Sequence, residues 1–186
     1  MSKIITATAP SGRSLVVETE RAMARRLEQE RDFAEWDICY LEANCESPLE
    51  KILAPWLLTI QADFETTGPQ RPTIESDSWN ETTISVDELV LVPQYSYDKY
   101  RLDFALFYRC ASWPKAAMIA IECDGHDYHD GTKEAAERDK RRNRALITAG
   151  WHLLRFSGRE IHRDPEACIA EIQRLLGALY ARDIAP

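Results

Sequence analysis

The chain has 186 residues, 45% of them hydrophobic, and carries a formal net charge of −8 at pH 7. This length suits one domain with a substantial core, and no apolar run approaches the roughly 18 residues of a membrane span. Because the first residues lack a long apolar stretch, we expect no signal peptide. The five cysteines form no CxxC pair. We therefore expect a cytoplasmic protein with reduced thiols and no membrane partner.

The first predicted element is a charged amphipathic helix over residues 14–35. Nothing in it suggests chemistry. We interpret residues 1–46 as a helical extension whose helix covers either the core or a partner, which could be another protein or a second copy in a homodimer. Ser47-Pro48-Leu49-Glu50 begins a second helix, since Ser is a good N-cap and Pro suits the first helical position. Glu three residues after the cap completes a capping box. The main domain is predicted to cover residues 47–186.

Residues 63–82 are rich in turn-forming residues and are predicted to be a mobile insertion. Apolar segments then predict strands, with residues 93–99 connecting the first two; the strands cover 84–92, 100–109, 116–124 and 151–156. Helices are predicted over 132–149, which Gly150 would end, and over 164–181. The fold class is therefore α/β, with a mixed sheet of about four strands flanked by helices. The order is helix, three meandering strands, crossover helix, strand, helix.

Three carboxylates lie on two of these strands, Asp103 on one and Glu122 and Asp124 on the next. Side chains two residues apart on a strand share a face and lie roughly 6.5 Å apart, so Glu122 and Asp124 can approach one ion. A short connection favours an antiparallel pair, which could place Asp103 opposite them. Since hard cations such as Mg²⁺ take oxygen ligands, the pattern indicates a divalent metal site. The alternative is that these acids face solvent at a strand end.

Basic residues are concentrated near the C-terminus, where residues 131–186 carry 11 Lys and Arg against 8 Asp and Glu. Such a run can hold a phosphate backbone, although a solvated helix face explains it about as often. Arg155, on the last predicted strand, could contact phosphate or pair with a neighbouring acid. The candidate nucleic-acid-binding residues are Lys133, Arg138, Lys140, Arg141, Arg142, Arg144 and Arg155.

Short motifs follow one another along residues 47–177. They are Ser47-Pro48-x-Glu50, Arg101-x-Asp103-Phe104, Ile121-Glu122-x-Asp124-Gly125 followed by His129, Arg138-Asp139-x-x-Arg142-x-x-x-Leu146 and Gly150-Trp151-x-x-Leu154-Arg155-Phe156. Together with the element order, they resemble the PD-(D/E)XK restriction-endonuclease-like superfamily. The closest likeness within it is to small endonuclease-like domains related to very-short-patch-repair endonucleases. The resemblance implies a restriction-endonuclease-like fold and a metal-dependent nuclease that hydrolyses phosphodiester bonds of nucleic acid, which we expect to be DNA.

The resemblance also implies roles for the acids. Asp103 and Glu122 match the metal-binding acids of the superfamily, which implies Mg²⁺ or Mn²⁺ as cofactor. Glu50 resembles a helix-borne acid that some members contribute to the site, although a Glu at this position caps the helix in any case. Most members carry Lys two residues after the Glu, whereas this chain has Asp124, as does the small-endonuclease branch. We expect that anion to bind the ion.

The positive charge that such a Lys supplies must then come from elsewhere or be absent, and Lys140 and Arg142 are candidates for it. His129 is a candidate base, because imidazole can accept a proton near neutral pH. His126 and His129 could instead bind Zn²⁺ with Asp124 or Cys123, or be ordinary surface residues.

Asp139 shares a helix face with Asn143 and Leu146, which lie four and seven residues further on. Since Leu146 is expected to be buried, Asp139 should face the sheet. There it could orient His129 or a metal-bound water; the competing interpretation is a pair with Arg142 along the helix.

Three hypotheses result from the sequence. The first is a Mg²⁺-dependent endodeoxyribonuclease, the second a nuclease-like module that binds nucleic acid or protein without cutting, and the third a zinc hydrolase that uses His126 and His129. For the first, the candidate catalytic residues are Glu50, Asp103, Glu122, Asp124, His129 and Lys140.

Overall fold

The structure is a computed structural model that describes residues 35–64, 68–70, 72–76, 79–110, 113, 115–125 and 133–184. The helix predicted over 14–35 lies outside this part of the chain except for its last residue. The described part begins with a helix that the sequence did not predict, α1 (Glu35–Asn44). The boundary placed after residue 46 stays a prediction, and Leu41 and Cys45 pack into the same core as the helix that follows.

Four further α-helices are described. They are α2 (Pro48–Leu57), α3 (Lys133–Thr148), α4 (Gly158–Arg163) and α5 (Pro165–Ile184). The starts of α2 and α3 and the start of α5 agree with the predictions, and Gly150 adopts the positive φ (94°) expected just beyond the end of α3. Helix α4 was missed, although Ser157 and Glu160 form a capping box of the type used to predict α2. None of the described helices is long and apolar enough to cross a lipid bilayer.

The main sheet has five strands, one more than expected. In spatial order they are β3 (Thr73–Ile74), β4 (Glu88–Tyr97), β5 (Tyr100–Arg109), β6 (Ala117–Asp124) and β7 (Trp151–Ser157). The two outer pairings are parallel and the two inner ones antiparallel, so the sheet is mixed as predicted. A separate hairpin joins β1 (Ala62–Phe64) to β2 (Gly68–Gln70).

Two of the sequence predictions need correction. Strand β4 continues through Pro93 to Tyr97 and turns into β5 at Asp98 and Lys99, so residues 93–99 are not a connecting segment. Proline usually marks a strand end because it lacks a donor, but Pro93 pairs with Phe104 beyond the end of the two-residue neighbour β3. Strand β3, which lies within 63–82, was missed because two residues carry no alternating pattern; the mobile insertion itself stays a prediction.

The sheet separates two cores. Helices α2 and α5 cover one face through residues such as Leu53 and Ile172, and α3 covers the other through Leu146. On β6, Ile119 and Ile121 pack in the first core while Ala120 packs in the second. Glu122 and Asp124 therefore extend from the face that α3 covers, as strand alternation predicts.

The alternation breaks where β4 and β5 pass Asp103. Leu102 packs in the α3 core and Phe104 in the opposite core, although residues two apart normally share a face. On β4, Gln94 has a φ of 53°, and regular pairing resumes beyond it between Tyr95 and Leu102. Asp103 thus lies at an irregularity of β5, where the inward-facing side chains before and after it pack in different cores.

Candidate active site

Glu50 both caps α2 and joins that helix to the sheet. Its buried carboxylate, in a residue only 4% exposed, accepts hydrogen bonds from the backbone N–H groups of Glu46 (2.8 Å) and Ser47 (3.1 Å). The Gln94 side-chain amide donates a third, at 2.6 Å. Ser47 Oγ accepts from the Glu50 N–H at 3.2 Å, which confirms the predicted capping box. The catalytic role of Glu50 stays a prediction.

Asp103 is partly buried and carries an unusual proton affinity. Its Oδ2 atom accepts a hydrogen bond of 2.8 Å from the Cys123 N–H, which places it beside β6 next to Glu122. Burial raises the pKa of Asp103 to about 7; the Cys123 donor opposes this rise, and the charges of Glu122 and Glu50 add to it. Carboxylates from α2, β5 and β6 therefore act on one another at this point, as crowded acids do in sites that bind cations.

Glu122 is held by an arginine from α3. Arg142 donates to both carboxylate oxygens, with distances of 2.9 Å to Oε2 and 2.6 Å to Oε1, and also to the Arg101 carbonyl oxygen at 2.9 Å. Glu122 is 6% exposed, and its burial raises its pKa, which Arg142 partly offsets. Burial alone would lower the pKa of Arg142, but its bonds to Glu122 and the Glu122 charge outweigh that effect. The two-pronged contact is the strong geometry for an arginine and a carboxylate.

Asp124 is held by the other arginine of the site, Arg155 on β7. Arg155 Nε and one terminal nitrogen bind the two Asp124 oxygens at 2.9 and 2.8 Å. The other terminal nitrogen binds Asp139 at 2.9 and 2.8 Å and lies 3.3 Å from Asn143 Oδ1. Asp139 does face the sheet beside the buried Leu146, but it pairs with Arg155 and not with Arg142. The sequence left open whether Arg155 contacts phosphate or pairs with a neighbouring acid, and the structure shows the pairing with acids.

Asp103, Glu122 and Asp124 are not arranged as a group of metal ligands. Among the described residues, no three His, Cys, Asp or Glu side chains are grouped so that they could hold a metal ion. Glu122 is paired with Arg142 and Asp124 with Arg155, so guanidinium groups neutralise two of the acids from which a metal site was predicted. The donor chemistry suits a hard cation, since all the oxygens are carboxylates.

The predicted nucleic-acid-binding residues fall into two groups. Arg142 and Arg155 are partly buried and paired with acids. The other five are exposed on α3: Lys133, Arg138, Lys140, Arg141 and Arg144. At 100° per residue, Lys140 lies on the opposite side of α3 from Arg142. Of the two candidates for the missing positive charge, the structure therefore brings Arg142 to the acids and leaves Lys140 facing solvent.

The histidine predictions cannot be placed, because His126 and His129 lie outside the described residues. Their proposed zinc partners are described. Cys123 packs against the core on the α2 side, the opposite face from Asp124, and burial raises the pKa of its thiol strongly. Since zinc binds the thiolate, this environment disfavours Cys123 as a ligand.

Sequence reasoning missed two features of the site. Gln94, which contacts Glu50, lies in a segment that was interpreted as a connection. The bidentate pairing of Arg142 with Glu122 joins residues twenty positions apart, and no local pattern signals it. The motif spacing did single out both residues of that pair, but their mutual contact depends on how α3 packs on the sheet.

Comparison with known proteins gives one match. A model of the restriction-endonuclease-like family REase_MTES_1575 matches residues 81–176, which include all the acids of the site except Glu50. No curated protein and no solved structure matches the chain.

Proposed function

Because this chain belongs to the restriction-endonuclease-like family REase_MTES_1575, we propose that it is a divalent-metal-dependent nuclease that cuts DNA within the strand. The family match covers slightly more than half of the chain and is consistent with the superfamily that the motifs predicted. The closer likeness to domains related to very-short-patch-repair endonucleases remains a prediction.

The observation that carries the proposal is the environment of Asp103. Its carboxyl group has a pKa raised to about 7 by burial and by the neighbouring charges of Glu122 and Glu50. Keeping several carboxylates together at such a cost is typical of functional sites, because a structural role would be met by fewer charges. The irregularity at Gln94 and the bond from the Cys123 N–H fix the Asp103 carboxylate at this place.

Asp103, Glu122 and Asp124 are the residues that would hold Mg²⁺ or Mn²⁺, and the charge of Glu50 acts on Asp103. When bound, a divalent cation supplies Lewis-acid stabilisation of the negative charge that develops on the phosphate. The exposed basic residues of α3 would hold the DNA backbone, which gives affinity without sequence readout. Arg155, fixed between Asp124 and Asp139, would keep the Asp124 carboxylate oriented.

The decisive experiment is a nuclease assay with near-isosteric variants. Asp103→Asn and Glu122→Gln retain side-chain size but remove the negative charge, so we expect each to reduce cleavage of duplex DNA in Mn²⁺ by roughly a thousandfold or more. Supercoiled, nicked, mismatched and single-stranded substrates in Mg²⁺ and Mn²⁺ would define the substrate class.

A matched control is Asp98→Asn. Asp98 is exposed in the β4–β5 turn and has a φ of 53°, a conformation that Asn also tolerates, so cleavage should be unchanged. If Asp103→Asn and Glu122→Gln also cut as the wild type does, the proposed site is wrong.

The alternative is a nuclease-like module that binds nucleic acid without cutting. It is favoured by the absence, among the described residues, of a ready group of metal ligands and by the arginines that already neutralise Glu122 and Asp124. Calorimetric titration with Mn²⁺ separates the two functions. A nuclease must bind the metal at concentrations that support cleavage, whereas a binding module can bind DNA equally well in EDTA.

A further inference from the structure

We propose that Arg142 is a mobile counter-ion of the active site: it neutralises Glu122 in the metal-free protein and transfers to a DNA phosphate when Glu122 takes a divalent cation. This inference rests on the proposed nuclease function and deepens it. It identifies Arg142 as the group that replaces the Lys for which the chain has Asp124.

The first support is the position of Arg142. It reaches from α3 across to β5 and β6, where both of its terminal nitrogens bind Glu122 and one also binds the Arg101 carbonyl. Arg142 is also attracted by Asp103 and repelled by Arg155. A positive charge therefore already lies among the acids that the proposed function assigns to metal binding.

The second support is the contrast with Arg155. Arg155 has two acidic partners, so it keeps Asp139 even if Asp124 turns to another ligand. The ion-pair partner found for Arg142 is Glu122, and its other bond is to a neutral carbonyl oxygen. Of the two arginines, Arg142 is the one whose ion pairing depends on a single carboxylate.

A cation at Glu122 would meet the guanidinium charge at close range, in a partly buried environment where screening by water is weak. Arg142 would then lose its partner and be repelled, with its planar donors free to bind an anionic oxygen. A phosphate of bound DNA is the anion that the proposed function brings there. Metal binding and phosphate binding thus become linked through one side chain.

The first test is calorimetric titration of the full-length protein with MnCl₂. Arg142→Gln removes the competing charge, so we expect Mn²⁺ to bind about tenfold more tightly than to the wild type. Arg142→Lys keeps a charge but loses the two-pronged contact, and its affinity should lie between the two. Arg141→Gln, an exposed neighbour on the same helix, makes the same change in net charge and should alter Mn²⁺ affinity less than twofold.

The second test measures binding of a labelled DNA duplex by fluorescence anisotropy, in EDTA and in CaCl₂. Arg142→Gln should weaken binding about tenfold in Ca²⁺ but less than twofold in EDTA, because Arg142 is then occupied by Glu122. Circular dichroism checks the fold of each variant; if Arg142→Gln does not fold, Arg142→Lys is expected to show smaller changes in the same directions.

The outcomes separate the two levels of the proposal. Wild-type protein that binds no Mn²⁺ at millimolar concentration would overturn the proposed function and this inference with it. Wild-type protein that binds Mn²⁺ and cuts DNA, together with an Arg142→Gln variant of equal or weaker Mn²⁺ affinity, would overturn the inference alone. Equal losses of DNA binding in EDTA and Ca²⁺ would overturn the transfer of Arg142 on metal binding.

Discussion

At the residue scale, Asp103 combines a cost in stability with the role that the proposed function assigns to it. Its folded-state pKa of about 7 exceeds the ordinary aspartate value of 3.8, so the folded protein binds this proton more tightly than the unfolded chain does. Between about pH 4 and pH 7 the contribution of Asp103 to the free energy of unfolding therefore falls as the pH rises. A cation that neutralised the carboxylate would relieve this cost.

The pH effect gives a stability prediction for Asp103→Asn. Asn is neutral at every pH, so the variant should lack the Asp103 contribution and gain on the order of 2 kcal/mol relative to the wild type between pH 4.5 and pH 8, after allowance for solvent screening. Urea unfolding in EDTA, followed by Trp fluorescence, measures it. Asp98→Asn serves as control, and parallel stability curves for wild type and Asp103→Asn would contradict the assigned pKa.

At this scale the acids of the site stay a prediction from the sequence, and their arginine partners could not be predicted. Residue type and strand spacing were enough to select Asp103, Glu122 and Asp124. The partners Arg142 and Arg155 carry long side chains that can reach in many directions, and only packing of α3 and β7 on the sheet decides which acid each one meets.

At the scale of elements, two capping boxes of the same sequence type have different surroundings. In α2 both oxygens of Glu50 accept hydrogen bonds and the residue is buried. In α4 the exposed Glu160 uses Oε2 for both the Ser157 N–H and the Ser157 hydroxyl, and these bonds lower its pKa. The first box joins a helix to the sheet, whereas the second only begins a helix.

This difference predicts unequal effects of the same substitution. Glu50→Gln places an amide nitrogen where a backbone N–H now points and should reduce the free energy of unfolding by about 1–3 kcal/mol. Glu160→Gln can keep an oxygen at the Ser157 donors and should cost less than about 0.5 kcal/mol. Urea unfolding of both variants at pH 7 measures the two effects, and equal losses would show that the bond from Gln94 contributes nothing.

Strand and helix boundaries could be predicted where local pattern and tertiary environment agree. Strand β5 and helix α3 are examples, since an apolar segment marks the first and a terminal glycine marks the second. Strand β4 was cut short because Pro93 normally ends a strand, and only its position next to the short β3 makes it tolerable. Helix α4 was overlooked although its capping signal is present.

At the scale of the whole molecule, a negative net charge coexists with a locally basic surface on α3. The chain carries −8 overall, yet five basic side chains are exposed on α3 while its other side faces the acids of the sheet. An acidic protein can bind DNA in this way if phosphate contacts are confined to one helix.

The charge separation predicts a change in salt dependence. Replacing Lys140 and Arg144 together by Gln should make the slope of log affinity for duplex DNA against log salt shallower by about 2, since each phosphate contact contributes roughly 0.9. The control replaces Arg159 and Arg174, exposed residues of α4 and α5, by Gln. Identical slopes for the two double variants would show that α3 does not hold the backbone.

The sequence by itself determined the fold class and the superfamily and singled out candidate acids for a site, because periodicity, capping residues and motif spacing are local properties of the chain. Only the tertiary structure decided how those acids are neutralised, that β5 changes faces at Asp103 and which arginine reaches Glu122. Each of these depends on the distance between segments far apart in the chain, and such distances are set by packing rather than by any single stretch of residues.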